Sequence, residues 1–196
     1  MKILFHDIDG VGLGHLRRTR TLARHLKRHY SCDIHFLTNT MFTQFIDEFP
    51  YTQVTANTKM VLDGQMSYEQ YLNHNATSLR ETIKIQQPDA VVFDTELCQS
   101  FLDALNCTSI YILRKRKDTE QLLPLLTGCT HVIVPHDPEE FEPSLRARLA
   151  ALGNVIFTGP LFSQEPLSKP DPDLFHIVIS CSAGANIKSN KTLFSH

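Results

Sequence analysis

Short runs of β-branched and aromatic residues recur along this chain, separated by stretches with helical spacing, and that alternation limits the possible folds more than any other feature. The first run, at 2–5, ends in His6-Asp7, and others follow at 33–38, 90–94, 109–113, 131–134 and 155–157. Runs this short and this apolar suit strands buried on both faces. Helical spacing marks 16–28, 42–48, 67–86, 98–105, 119–126 and 138–152. In the longest, Tyr68, Leu72, Asn75, Leu79 and Ile83 fall at steps of three and four, Ser67 is placed to cap the start, and Pro88 stops it. Strands separated by helices imply right-handed crossovers. The expected fold is therefore an α/β, Rossmann-like, open and mostly parallel sheet with helices on both faces.

A chain of 196 residues with 42% hydrophobic content can bury a core of this kind. Composition shifts after the last run, where Pro160, Pro166, Pro170 and Pro172 lie among polar residues. This divides the chain into a Rossmann-like domain at 1–158, a Pro-rich linker at 159–175, and the first strand and loop of a second α/β domain at 176–196. Only 11 residues follow Ala185, so the second domain is expected to be truncated. Lys and Arg total 19 against 21 acids, a net charge of -2, which argues against nucleic acid as a partner. The five widely spaced cysteines contain no C-x-x-C pair and read as reduced thiols. With no apolar run near 18 residues and an acid at Asp7, a cytoplasmic protein is expected, at most peripheral to the inner face of a membrane.

The segment Gly10-Val11-Gly12-Leu13-Gly14-His15-Leu16-Arg17-Arg18 lies between the first strand and first helix. In an open α/β sheet, ligands bind at the carboxyl ends of the strands, so this loop should line a cleft. Its glycines admit close approach to the backbone, and the helix start suits an anion. A dinucleotide fingerprint fails because the third glycine comes one residue early and the second strand ends Leu37-Thr38-Asn39-Thr40 without an acid. A P-loop fails because no Lys-Ser or Lys-Thr follows the glycines. His15 sits where a helix start favours the neutral imidazole, which can take a proton from a hydroxyl. The helix carries six cations and no acid; Arg24, Lys27 and Arg28 read as a solvated face, while Arg17 and Arg18 lie near the ligand end. A second basic run, Arg114-Lys115-Arg116-Lys117, follows the fifth strand, and together the two runs are candidates for a diphosphate or an anionic membrane surface. Asp94 and Glu96 follow the fourth strand, as a candidate base or acceptors for sugar hydroxyls, with helix capping as the plainer role. The other histidines supply no metal-ligand set, so no metal is expected.

These residues resemble the N-terminal glycine-rich loop of GT-B fold glycosyltransferases of the family 28 type. Pro88-Asp89-Ala90-Val91-Val92-Phe93-Asp94 is similar to the strand leading into that family's acceptor cleft, and Phe157-Thr158-Gly159-Pro160-Leu161 to its crossing into a second domain. The resemblance implies two facing Rossmann-like domains, the first mainly for acceptor and the second mainly for donor. It implies transfer of a sugar, with N-acetylglucosamine a candidate, from a nucleoside diphosphate sugar to an acceptor hydroxyl, with no cofactor and no obligatory metal. By position, Gly12, Gly14 and His15 form the loop under donor diphosphate and acceptor, with His15 a candidate base and Gly10, at the start of the same run, a candidate for substrate binding. Ser180-Cys181-Ser182-Ala183-Gly184-Ala185 resembles the glycine-rich loop that opens the donor domain, making Gly184 its donor-binding residue, but with one glycine where several are usual. Complete members are about twice this length. Three readings follow: a glycosyltransferase portion, a non-catalytic acceptor-binding subunit that recruits a separate donor-binding chain, and a portion of a nucleotide-sugar epimerase.

Overall fold

A computed structural model of the chain describes residues 1–8, 13–94, 96–116 and 118–160, with the side chain of Leu13 excepted. The expectations for Gly10, Gly12 and Gly184, for the linker past Pro160, and for a second domain at 176–196 lie outside the described residues. The described chain builds a sheet from β1 (Lys2–Asp7), β2 (Asp33–Thr38), β3 (Tyr51–Gln53), β4 (Ala90–Asp94), β5 (Thr108–Ile112), β6 (His131–Val134) and β7 (Val155–Phe157). The seven strands are all parallel, in the order β3-β2-β1-β4-β5-β6-β7. Order reverses between β1 and β4, which makes their carboxyl ends the switch point where such sheets open a crevice.

The helices are α1 (Leu13–Tyr30), α2 (Thr58–Leu62), α3 (Tyr68–Gln86), α4 (Gln99–Leu102), α5 (Thr119–Leu126) and α6 (Pro143–Ala151). Two cores sandwich the sheet, and strand alternation sorts residues between them. Ile3 and Phe5 of β1, with Val92 of β4 and Ile112 of β5, pack on Leu16 and Ala23 of α1. Leu4, Val91, Phe93 and Tyr111 face the other way, toward Leu79 and Ile83 of α3. The odd positions of β1 and the even positions of β4 thus share the α1 face.

Most of the expected strands stand where the apolar runs place them. The differences have local causes. Residues 42–48 make only a single 3₁₀ turn, Thr43–Phe45, yet Ile46 and Phe49 still enter the α1-side core. The expected helix at 138–152 breaks, because Phe141 is extended and Pro143 opens α6 at its first turn, where its missing N–H costs nothing. The helix expected at 98–105 is only one turn long. The short elements β3, exposed throughout, and α2, capped by Asn57, carry no periodic signal.

Helix α3 begins as expected, with Ser67 accepting from the Gln70 backbone N–H while the Gln70 side chain accepts from the Ser67 N–H. Its buried stripe keeps Asn75, Leu79 and Ile83 of the expected one and differs at the start. Tyr71 is buried with Asn75, Ala76, Leu79, Thr82 and Ile83, while Tyr68 remains 49% exposed. Removing the cap should cost far less than opening the core. Ser67→Ala should lower stability by about 1 kcal/mol, and Leu79→Ala by about 2–5 kcal/mol, read as shifts of the urea midpoint with the slope retained.

Candidate functional site

Strand alternation dictates what meets at the switch point. Asp7 ends β1 on the side of Ile3 and Phe5, and Asp94 ends β4 on the side of Val92. Each lies one residue past the paired His6 and Phe93, so the two carboxylates stand side by side under α1. Both are buried. Helix α1 brings the groups that make this tolerable. Arg18 donates from Nε to Asp94 Oδ2 at 2.8 Å and from Nη2 to Asp94 Oδ1 at 2.7 Å, a two-pronged contact. Thr19 donates to Asp7 Oδ2 at 2.7 Å.

His15 lies one turn before Thr19, so the two share a face of α1, and His15 is buried close enough to the end of β1 for its charge to be felt at Asp7. Burial pushes the Asp7 carboxyl up to about 6, and the neighbouring Asp94 adds to this, while His15, the Thr19 hydroxyl and Arg18 pull it back. His15, Arg18 and Asp94, singled out from sequence as separate features, therefore come together. Asp7 and Thr19 complete the cluster. Their signals in the sequence were the alternation Ile3, Phe5, Asp7 and the spacing of four between His15 and Thr19.

Gly14 sits inside the first turn of α1 without a left-handed φ, and a Cβ there would meet no described atom within 4 Å. Arg17 is exposed on that first stretch of α1. Glu96, half-buried, accepts from the Tyr68 hydroxyl at 2.7 Å, which together with burial pushes the Tyr68 phenol up. Tyr71 stacks beside Tyr68 and donates to the Ile8 carbonyl at 2.6 Å, tying α3 to the chain just after β1. Tyr68 is thus half-exposed and paired with Glu96, while Tyr71 is buried in the core.

The basic segments divide on inspection. Arg20 and Arg24 both donate to Glu48, and Lys27 lies 5.2 Å over the Phe49 ring, so this face of α1 fastens the 3₁₀ segment to the helix. Arg116 forks onto Asp118 at the start of α5. Arg114 stands half-buried past the end of β5, one strand beyond Asp94. His25 and His29 stand one turn apart with rings 4.5 Å from centroid to centroid, but no group of three potential metal ligands gathers among the described residues. Among those residues, no helix is long and apolar enough to cross a membrane. Cys32, Cys98, Cys107 and Cys129 are free thiols.

On the opposite face of the β1–β4 pair, His6 is fully buried edge-on to Phe93 and Phe101, at 5.1 and 4.8 Å. Burial drives its pKa down to about 3. A groove of about 910 Å³ lies at the amino ends of β4 and β5, lined by Arg80, Lys84, Asp89, Asp103 and Cys107 among others, and thus at the end of the sheet away from His15.

A scan of protein-family models finds no match, and no curated protein matches in sequence. Solved structures do match in shape. MurG of Acinetobacter baumannii superposes with a TM-score of 0.57 at 14% identity, over 85% of this chain and 47% of its own. A UDP-GlcNAc 2-epimerase of Neisseria meningitidis, bound to UDP-GlcNAc, gives 0.57 at 14% identity, over 82% of this chain and 46% of that one. UGT2 of Phytolacca americana, complexed with UDP-2fluoro-glucose and pterostilbene, gives 0.52 at 11% identity, over 84% and 55%. The chain thus has the Rossmann-like fold of one half of a GT-B-type protein and spans about half the length of these structures.

Three outcomes follow from the buried charges. Folded His6 resists protonation until about pH 3 whereas the unfolded residue takes a proton near 6.5, so stability is lost as pH falls below about 6.5. His6→Leu should remove this loss, gaining up to ~1.4 kcal/mol per pH unit on the wild type on the acid side, measured by urea unfolding from pH 7 down to 4.5. Asp7 acts with the opposite sign, its contribution being lost as pH rises from about 4 through about 6. Arg18→Met should leave the Asp94 carboxylate buried without its guanidinium, costing about 3–5 kcal/mol at neutral pH, measured by the same unfolding.

Proposed function

We propose that this chain is the acceptor-side half of a GT-B glycosyltransferase, which transfers a sugar from a nucleoside diphosphate sugar to an acceptor hydroxyl. The observation that carries the reading is His15, buried in the first turn of α1 next to Gly14, with its charge felt at the Asp7 carboxylate that ends β1. A hydroxyl placed there finds a base, and a diphosphate finds the positive end of a helix.

In the proposed reaction the acceptor hydroxyl gives its proton to the His15 ring as its oxygen bonds to the anomeric carbon. The bond from that carbon to the diphosphate oxygen breaks, and its electron pair leaves with the nucleoside diphosphate. Arg17, exposed near the helix start, meets the diphosphate, while Arg114 extends the cationic edge along β5. Arg18 holds Asp94 in place. Glu96 and Tyr68 present a carboxylate and a phenol to the sugar or acceptor hydroxyls on the α3 side. No metal is assigned to the step, since the helix start and the arginines face the leaving group. UDP-N-acetylglucosamine is the donor to try first, being the ligand named for the Neisseria meningitidis structure of like fold.

The remainder of the donor site belongs to a second domain or a partner chain. The test is transfer of labelled sugar from UDP-N-acetylglucosamine to a panel of hydroxyl acceptors, by the whole protein or by the chain with its donor-binding partner. His15→Ala should lower turnover by about 10²–10⁴-fold while the folded fraction and the circular dichroism spectrum stay unchanged. Wild-type turnover in that variant would refute the assignment of the base. Conversion of the donor to its 2-epimer without any acceptor would move the protein to the epimerase reading.

A further inference from the structure

We propose that His136 is the positioning residue of the basic segment Arg114-Lys115-Arg116, and that it holds this segment only as a neutral imidazole, so that protonation of the ring releases it. The proposal goes beyond the reading of the chain as half a glycosyltransferase and does not rest on it.

The segment leaves β5 at its carboxyl end, the end of the sheet at which Asp94 closes β4. One proline decides how it is held there. Strands β5 and β6 pair in parallel, and past the paired Ile112 and Ile133 the Leu113 N–H donates to the Ile133 carbonyl at 2.8 Å. A parallel ladder is evenly spaced, so the next rung would join Pro135 to Leu113 and Lys115. Pro135 has no N–H to give. The Lys115 N–H donates instead to Nε2 of the His136 ring at 3.2 Å, and a side chain takes the place of the missing rung. Beyond it the Arg116 N–H donates to Thr119 Oγ1 at 3.1 Å, so His136 supplies the hold midway between β5 and α5.

The two bonds of the ring fix its protonation state. A backbone N–H only donates, so Nε2 must accept. Nδ1 lies 3.1 Å from Glu140 Oε2, and a carboxylate only accepts, so Nδ1 carries the ring proton. The Asp137 N–H donates to the other oxygen of Glu140 at 3.1 Å, and this bond and His136 together hold the Glu140 carboxyl below its usual range. Phe141 stands edge-on to the ring at 5.9 Å. A second proton has only Nε2 to occupy, where it meets the Lys115 N–H as donor against donor. The His136 side chain is 27% exposed, so solvent can deliver that proton without unfolding. The charges around the ring oppose one another. Glu140 and the adjoining Asp137 favour the imidazolium, whereas Lys115 and its neighbours Arg114 and Arg116 disfavour it. Imidazole is the side chain whose charge ordinarily changes between about pH 5 and 8, so the hold is present on the alkaline side and lost on the acid side.

The experiment follows the ring nitrogens and backbone amides of the full chain by NMR between about pH 8 and 5, for wild type, His136→Ala, His136→Gln and Glu140→Gln. Exchange rates are corrected for the intrinsic effect of pH, and the Leu113 amide, one rung earlier, reports whether the sheet is intact. At the alkaline end the wild-type ring should carry its proton on Nδ1, and the Lys115 amide should exchange about tenfold more slowly than in His136→Ala. That protection should vanish in step with protonation of the ring while Leu113 stays protected. A glutamine amide oxygen can take the place of Nε2 and binds no proton, so His136→Gln should keep Lys115 protected across the range. Glu140→Gln should move the loss to lower pH, because an anion that favours the charged ring is gone. Protection of Lys115 that outlasts protonation of the ring overturns the proposal, as does a wild-type ring with its proton on Nε2. If His136→Ala does not fold, the comparison of wild type with His136→Gln carries the test, and the same pH dependence in both refutes it.

Discussion

Arg18 reaches from the second turn of α1 to grip Asp94 at the end of β4, and the arrangement of the cleft depends on that contact. Parallel pairing of β1 with β4 brings two strand ends together, and both end in aspartate. Two buried carboxylates side by side repel, and neither is solvated. The bidentate guanidinium neutralises one of them, and the Thr19 hydroxyl holds the other. Because Arg18 and Thr19 are consecutive and His15 lies one turn earlier, satisfying the two acids also sets the rotation of α1 about its axis.

Burial then separates the roles of otherwise similar groups. His6 and Asp7 are neighbours in sequence but face opposite layers. His6 lies among Phe93 and Phe101, where a proton is expelled down to about pH 3, so it behaves as an aromatic packing residue. Asp7 faces α1, where its carboxyl is raised to about 6 and is still ionised at neutral pH. The same low-dielectric surroundings that penalise these charges strengthen any interaction between them and a ligand.

Much of the scaffold was legible in the sequence, because β2, β4, β6 and β7 are apolar runs with abrupt ends and α3 carries a Ser67 cap and a periodic face. What escaped has a common physical reason. Helix α2 and strand β3 are too short for a period to develop. The break before α6 turned on Pro143, which opens a helix as readily as it ends one. In α3 the periodic stripe starts at Tyr68, while burial falls on Tyr71, whose hydroxyl reaches the Ile8 carbonyl just after β1.

By itself the sequence determined the α/β class and marked His15, Arg18 and Asp94 as residues of interest, because period and chain order encode these locally. Only the tertiary structure decided that Arg18 serves Asp94, that Asp7 and Thr19 join His15, and that Arg20 and Arg24 serve Glu48. Those pairings depend on which strands become neighbours and on which face each strand end presents. Asp94 meets Arg18 across 76 positions of chain, and no local pattern specifies a contact of that separation.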